Sequence, residues 1–332
     1  MKKFHMIIDL EKCVGCFNCM LACKDEHVGN SWLPYTQEAP KHDHKWICPT
    51  LTERGEAPYT EVTYVTRTCM HCDNAPCAKK YPDVFIKRSD GIMLIDYKKA
   101  KDPEIASACP YGMIHWNEEL EVAQKCTGCA HLLDEGWKEP RCVQTCPLRA
   151  LQTVFCDDAE WEQIIEKQGL KAITDGTNKP RVMYKHLYFY NKCFVKGALC
   201  FDKDGIEEAA IGAKVELLVG NTVVAVTETD FLGEFYIDRI PKNSGVMKIK
   251  ATFEGFDPLE KEFEIKDKSV VLDALKLGGG EGKPAVILPN EHANQQALDH
   301  MVPKDVEAAK KAFGLEDAKP AKKTAKKKAA EE

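Results

Sequence analysis

Residues 12–23 read KCVGCFNCMLAC, and this stretch decides the fold. Its cysteines are spaced Cys13-x2-Cys16-x2-Cys19-x3-Cys23, the pattern of bacterial-type ferredoxins. Three thiolates so placed wrap one iron–sulfur cube from a tight loop, while the fourth, three residues further on, points away and closes a neighbouring cube. Such groups are therefore expected in pairs that exchange their last ligand.

Further along the chain lies a second complete group, Cys126-x2-Cys129-x12-Cys142-x3-Cys146-Pro147. Between the two are incomplete ones. Cys69-x2-Cys72-x4-Cys77 has Tyr81-Pro82 where its fourth thiol belongs, and Cys109-Pro110 ends a group whose first three positions hold Lys99, Asp102 and Ile105. Nested pairing gives three full sets: Cys13, Cys16, Cys19 with Cys146; Cys126, Cys129, Cys142 with Cys23; and Cys69, Cys72, Cys77 with Cys109. A fourth set has no ligands left. The alternative, in which each outer group closes its own cube, satisfies the same count but conflicts with the direction of the fourth cysteine. Structural zinc is the other alternative, since Cys-x2-Cys pairs also hold tetrahedral zinc. A third thiol after two more residues, three such sets and two Cys-Pro endings favour three 4Fe-4S clusters.

Of 332 residues 16 are cysteine, 14 of them before residue 157, a density that fits either disulfides or metal. The opening segment MKKFHMIIDLEKCVGC contains no apolar stretch of about 7 to 15 residues, which predicts a reduced, cytoplasmic setting and metal-bound thiolates. No apolar run approaches the ~18 residues of a membrane span, and a net charge of −6 offers no overall attraction for nucleic acid. Four cysteines fall outside the sets: Cys193 and Cys200, the latter in a strand pattern that reads as core, and Cys48 and Cys156, either of which is a candidate exposed thiol. Lys12, Arg67, Lys125 and Arg141 flank the ligands, where positive charge stabilises a reduced cluster and raises its potential. Lys125, wedged against Cys126, is the leading candidate, whereas Lys12 reads equally well as solvated surface. No histidine has ligand spacing; His42, His44, His71 and His131 are expected to bond solvent or backbone.

The pattern predicts an α+β protein in four parts. Residues 1–156 form a double bacterial-ferredoxin-like 4Fe-4S domain. Residues 157–196 form a helix, capped by Asp157 with Glu160 and stopped by Gly169, and an extended aromatic connector. Alternating runs from 197 to 277 predict a small antiparallel β-sandwich or barrel, transthyretin-like, in which Gly233 makes a bend and Phe235 and Ile237 face inward. Residues 278–332, with one short helix over 305–315 and the ending KPAKKTAKKKAAEE, have too few large apolar residues to fold alone.

Five segments, CMHCDNAPC (69–77), CPYGMIHWNEE (109–119), QKCTGCAHLLDE (124–135), KPRVMYKHLY (179–188) and TDFLGEFYID (229–238), resemble the iron–sulfur subunits that accompany molybdopterin enzymes of the dimethyl sulfoxide reductase family. The missing fourth cluster with an appended β-domain is similar to the transhydroxylase branch, the small subunits that serve pyrogallol–phloroglucinol transhydroxylases. The resemblance implies a non-catalytic electron-transfer protein in a heterodimer or higher assembly. The large subunit would hold molybdenum on two pterin guanine dinucleotides and act on polyphenols. It leaves open a net reductase, of catechol dehydroxylase or polysulfide and dimethyl sulfoxide type, and a free-standing polyferredoxin or scaffold.

Overall fold

The computed structural model describes residues 2–280. The expectations for the tail beyond 280 lie outside the described residues. The described residues divide into two compact units, one running up to Arg54 and from Thr60 to Asn191, the other made of Gly55–Tyr59 and the described residues from Lys192 onward.

In the first unit, strand Lys3–Asp9 is the middle of a three-stranded sheet. Leu151–Cys156 pairs with it antiparallel and Val182–Lys185 parallel. Successive side chains of a strand point to opposite faces. Here both faces are covered, so the segment FHMIID is buried throughout. Phe4, Met6 and Ile8 enter the main core with Cys19, Cys72 and Cys142, while Ile7 packs with Trp161, Leu170 and Met183. That second face is roofed by the helix Asp158–Gln168. Its N-cap is Asp157, which accepts the Glu160 N–H at 2.9 Å, and it ends at Gly169 with φ 62. A cap of this kind contributes about 1 kcal/mol.

The segment after this helix, expected to lie extended, contributes one strand of that sheet, with Val182 and Tyr184 fully buried, and then turns helical at Tyr188–Asn191. The remaining regular structure is short, as loops held by clusters would have it: hairpins Ile47–Glu56 with Tyr59–Thr68, Phe85–Lys87 with Met93–Ile95, and His115–Asn117 with Val122–Gln124, and helices of ten residues or fewer.

The second unit is two sheets around one core. Strand Lys192–Lys203 bonds Glu234–Pro241, Ile206–Ala209, Val270–Val271 and Leu275–Leu277. The other sheet runs Thr222–Glu228, Lys214–Val219, Gly245–Thr252, Leu259–Ile265. Phe201, Phe235 and Ile237 from the first meet Leu217, Met247 and Ile249 from the second. The turn before Phe235 is locked: Asp230 Oδ1 accepts the N–H groups of Leu232 and Glu234, both at 2.9 Å, and the Thr229 hydroxyl accepts from Ala213 N–H at 2.8 Å. Gly233 has φ 75, and a Cβ there would overlap the Leu199 carbonyl oxygen. The turn leaves Phe231 64% and Leu232 57% exposed.

Candidate metal centre

The twelve cysteines of the three sets are all free thiols in the first unit, brought close by loops and helix starts. Each Cys-x-x-Cys loop turns in the same way. The residue before its second cysteine, Gly15, His71 or Gly128, has left-handed φ of 66, 45 and 63 respectively. At Gly15 the turn also lies against an aromatic ring: a Cβ would overlap the Tyr64 ring carbons. His71 occupies the equivalent place without glycine's freedom because its ring is buried, 2% exposed, and its Nδ1 accepts the Met93 N–H at 3.1 Å.

The neighbourhoods of the thiols fall into three. Burial pushes Cys19 up to about 12, and Cys13, Cys16 and Cys146 add to that as nearby negative charge. These four line one recess with Val14, Phe17 and Leu148 around it. Cys23, on the same helix as Cys19, is pushed well above the ordinary thiol range by burial and then by Cys126 and Cys129. Cys142 is raised in the same way by burial and by Cys129, Cys126 and Cys23. Cys72 is raised to about 12 by burial, then by Cys69, Cys109 and Cys77. The neighbourhoods are not isolated: Cys19 also raises Cys142, and Cys126, after burial, is raised by Cys69.

Thiols so buried ionise only against positive charge, which a coordinated metal supplies. A single ion does not fit. Tetrahedral zinc at about 2.3 Å holds its sulfurs about 3.8 Å apart, whereas among the described residues no three cysteine Sγ atoms lie within 4.8 Å of one another. The wider spacing of the thiols is compatible with a multi-metal cluster. Hydrogen bonds to sulfur are in place: Gly128 N–H donates to Cys126 Sγ at 3.3 Å, and Cys13 Sγ lies 3.5 Å from Thr66 Oγ1.

The positions that lack thiols have taken other roles. Ile105 is a core residue, Tyr81 packs against the same core, and Asp102 caps the 3-10 turn Pro103–Ala108 through the Glu104 N–H at 2.9 Å. Of the remaining cysteines, Cys156 is buried beside Ile7 and Trp161, which removes it as a candidate exposed thiol; Cys193 and Cys200 are buried and Cys48 is half-buried. Arg141 pairs with Asp25 and Glu26, and Arg67 lies on Tyr190, 5.9 Å from its ring centre. Sequence reasoning missed two features. His131 does not bond solvent or backbone: Nε2 lies 3.0 Å from Glu26 Oε1, and the ring stacks 4.5 Å over Trp32. Asp9, Glu11 and His186 converge within 4.8 Å, an arrangement formed by two strands far apart in sequence.

An iron–sulfur electron carrier is the class that this fold and these thiols define. Residues 60–155 match the 4Fe-4S dicluster domain family. The chain is 40% identical over 283 residues to the pyrogallol hydroxytransferase small subunit of Pelobacter acidigallici, covering 83% of this chain and 100% of that protein. It is 30% identical over 203 residues to one of the subunits of sulfite dehydrogenase from Allochromatium vinosum (55% and 83% covered). To one of the chains of the anaerobic dimethyl sulfoxide reductase of Escherichia coli it is 32% identical over 165 residues (45% and 72%). This protein belongs to the family of iron–sulfur small subunits that accompany molybdopterin enzymes of the dimethyl sulfoxide reductase family. Among the described residues no helix is long and apolar enough to cross a membrane.

Proposed function

We propose that this chain is the non-catalytic electron-transfer subunit of a polyphenol hydroxytransferase of the pyrogallol-to-phloroglucinol type, carrying three 4Fe-4S clusters. The supporting observation is the sorting of its thiols into three neighbourhoods with the memberships that nested ligand exchange requires. Cys13, Cys16, Cys19 and Cys146 would hold the first cluster, Cys23, Cys126, Cys129 and Cys142 the second, and Cys69, Cys72, Cys77 and Cys109 the third. Each cube, when bound, takes up and returns one electron. The protein orients the thiolates with left-handed turns, excludes water with core residues such as Ile8 and Met70, and directs N–H and O–H groups at sulfur. Molybdenum on two pterin guanine dinucleotides belongs, in this reading, to a large partner that binds the substrate.

The hydroxytransferase reading is favoured over a reductase by coverage. A match over 83% of 332 residues has to take in part of the second unit, whereas one over 45% fits within the first. The transthyretin-like reading of that unit rests on its two sheets and single core. Matches to reductase and dehydrogenase subunits support a second reading, a carrier that feeds a net reduction. Anaerobic iron, sulfide, zinc and molybdenum analysis of the natively purified complex tests the proposal. About twelve irons per copy, from three four-iron cubes, with one molybdenum are expected. Zinc in place of iron, or iron with no molybdenum partner, overturns it. Conversion of substrate without external reductant separates the hydroxytransferase from the reductase.

A further inference from the structure

Lys125 is 3% exposed, and its Nζ donates to two backbone carbonyls, those of Met93 and Cys126, the latter at 2.9 Å. Among the described residues no carboxylate lies within ion-pair distance of it. The other cations compared differ, the buried Arg181 and Arg54 as well as the exposed Lys87 and half-buried Arg141. Arg181 grips Asp73 with two bonds of 2.7 Å, and Arg54 pairs with Glu61. Lys87, whose Nζ bonds the His71 and Cys72 carbonyls, has Asp73 at 2.8 Å, and Arg141 has Asp25 and Glu26. An ammonium held in the interior against neutral carbonyls alone is costly unless a negative body stands close by.

The N–H of Met93 donates to Nδ1 of His71, inside the Cys69–Cys72 loop, at 3.1 Å, and Cys126 belongs to the second set. Nζ is therefore tied directly to a residue of the second set and, through Met93, to the loop of the third. At the set of Cys13, Cys16, Cys19 and Cys146 the cation that lines the recess, Lys12, is exposed, and its charge is screened by solvent.

Resting on the cluster assignment above, the geometry points to Lys125 as the shared counter-cation of the second and third clusters, a positioned charge that draws the reducing equivalent to that pair and away from the first. Adding an electron to a cube makes it more negative, so a fixed positive charge favours the reduced form of both cubes. The first cube, lacking it, is left as the point of exchange at which an electron passes without resting. A set of clusters biased in this way holds charge on two of its three members, which suits a subunit that lends an electron to its partner and takes it back.

The test is a reductive titration of the purified complex followed by electron paramagnetic resonance, comparing the native protein with Lys125→Gln, Lys125→Met and Lys125→Arg. Glutamine keeps a donor for the two carbonyls and removes the charge; arginine keeps the charge. In Lys125→Gln the reduction equilibrium of the second and third clusters falls about tenfold or more, 59 mV per tenfold for a one-electron couple, while that of the first stays within twofold. Lys125→Arg restores most of the difference, and Lys12→Gln changes none of the three. Lys125→Met repeats the pattern and decides the matter if Lys125→Gln fails to load iron. Unchanged equilibria in a fully loaded charge-free variant, a change confined to one cluster, or an equal change in all three overturns the inference and leaves the cluster assignment standing. Loss of iron in every charge-free variant, with normal potentials in Lys125→Arg, also overturns it, because Lys125 would then be a folding element. Absence of iron cubes from the native protein overturns the assignment itself.

Discussion

Cys19 and Cys23 stand one turn apart on the helix Asn18–His27, yet they have different companions: Cys19 has Cys13, Cys16 and Cys146, and Cys23 has Cys126 and Cys129. Four residues of helix place side chains on one face, one above the other. Here that stacking carries the backbone from one thiol set to the next. Cys23→Ser is therefore expected to remove the cluster of Cys126, Cys129 and Cys142 and to leave that of Cys13, Cys16 and Cys19. Spectroscopy of the reduced variant with iron counting checks this; loss of the Cys13 signal alone would show that each outer group closes its own cube.

Gly15 has φ 66 and the Tyr64 ring against its α-carbon. Gly15→Ala combines the left-handed penalty of about 1–2 kcal/mol with a clash against a ring that must then move. The expected outcome is poor loading of the first cluster, read as about a third less iron per chain. Gly205→Ala, at φ 80 with open space around the new methyl, carries the backbone penalty alone and should retain full iron.

His5 is stacked on Trp161 at 4.2 Å and lies 3.3 Å from Arg181 Nη1, so its Nε2 accepts. Burial, and then the Arg181 charge, lower it to about 4. The unfolded chain, with histidine near 6.5, binds the proton more readily. The stability His5 contributes by staying neutral is whole above pH 6.5 and falls as pH drops towards 4. His5→Phe should flatten that part of the pH dependence, seen as a smaller drop in Tm between pH 6.5 and 4.5 than in the native protein; an unchanged slope would dissociate His5 from it.

Phe231 and Leu232 are displayed on a turn that Asp230 and Thr229 hold rigid. Apolar side chains fixed in water make ready contacts for another protein. Under the subunit reading, Phe231→Ser with Leu232→Ser should leave iron content and folding unchanged and reduce the yield of large subunit that co-purifies by several-fold. Equal yield would remove this turn from the interface.

The candidate site is legible in part because ligand chemistry is written in spacing. Cys-x2-Cys-x2-Cys is a ferredoxin spacing, and Tyr81 and Ile105 stand where that spacing would place thiols. Local signals served as well: the Asp157 cap and the inward Phe235 and Ile237 are each settled within a few residues. What the sequence hid was long-range. Nothing near Val182 says that it will lie beside Met6, and the strand was read as connector. Glu26 and His131 are 105 residues apart, and no local pattern joins them. Lys125 was visible as a cation beside a ligand, but its isolation from every described carboxylate is a property of the packed interior.

Residues 55–59, the tip of the hairpin between Ile47–Glu56 and Tyr59–Thr68, are counted with the second unit although the rest of that hairpin belongs to the first. Tyr59 bonds Glu234 and lies under Lys196, and a Cβ at Gly55 would meet the Phe194 ring. The backbone thus changes unit three times, at 54, at 59 and at 191. No single cut separates the parts cleanly, so the β-sheet unit is not a detachable cassette. A protein ending at residue 191 would carry five residues whose neighbours no longer exist.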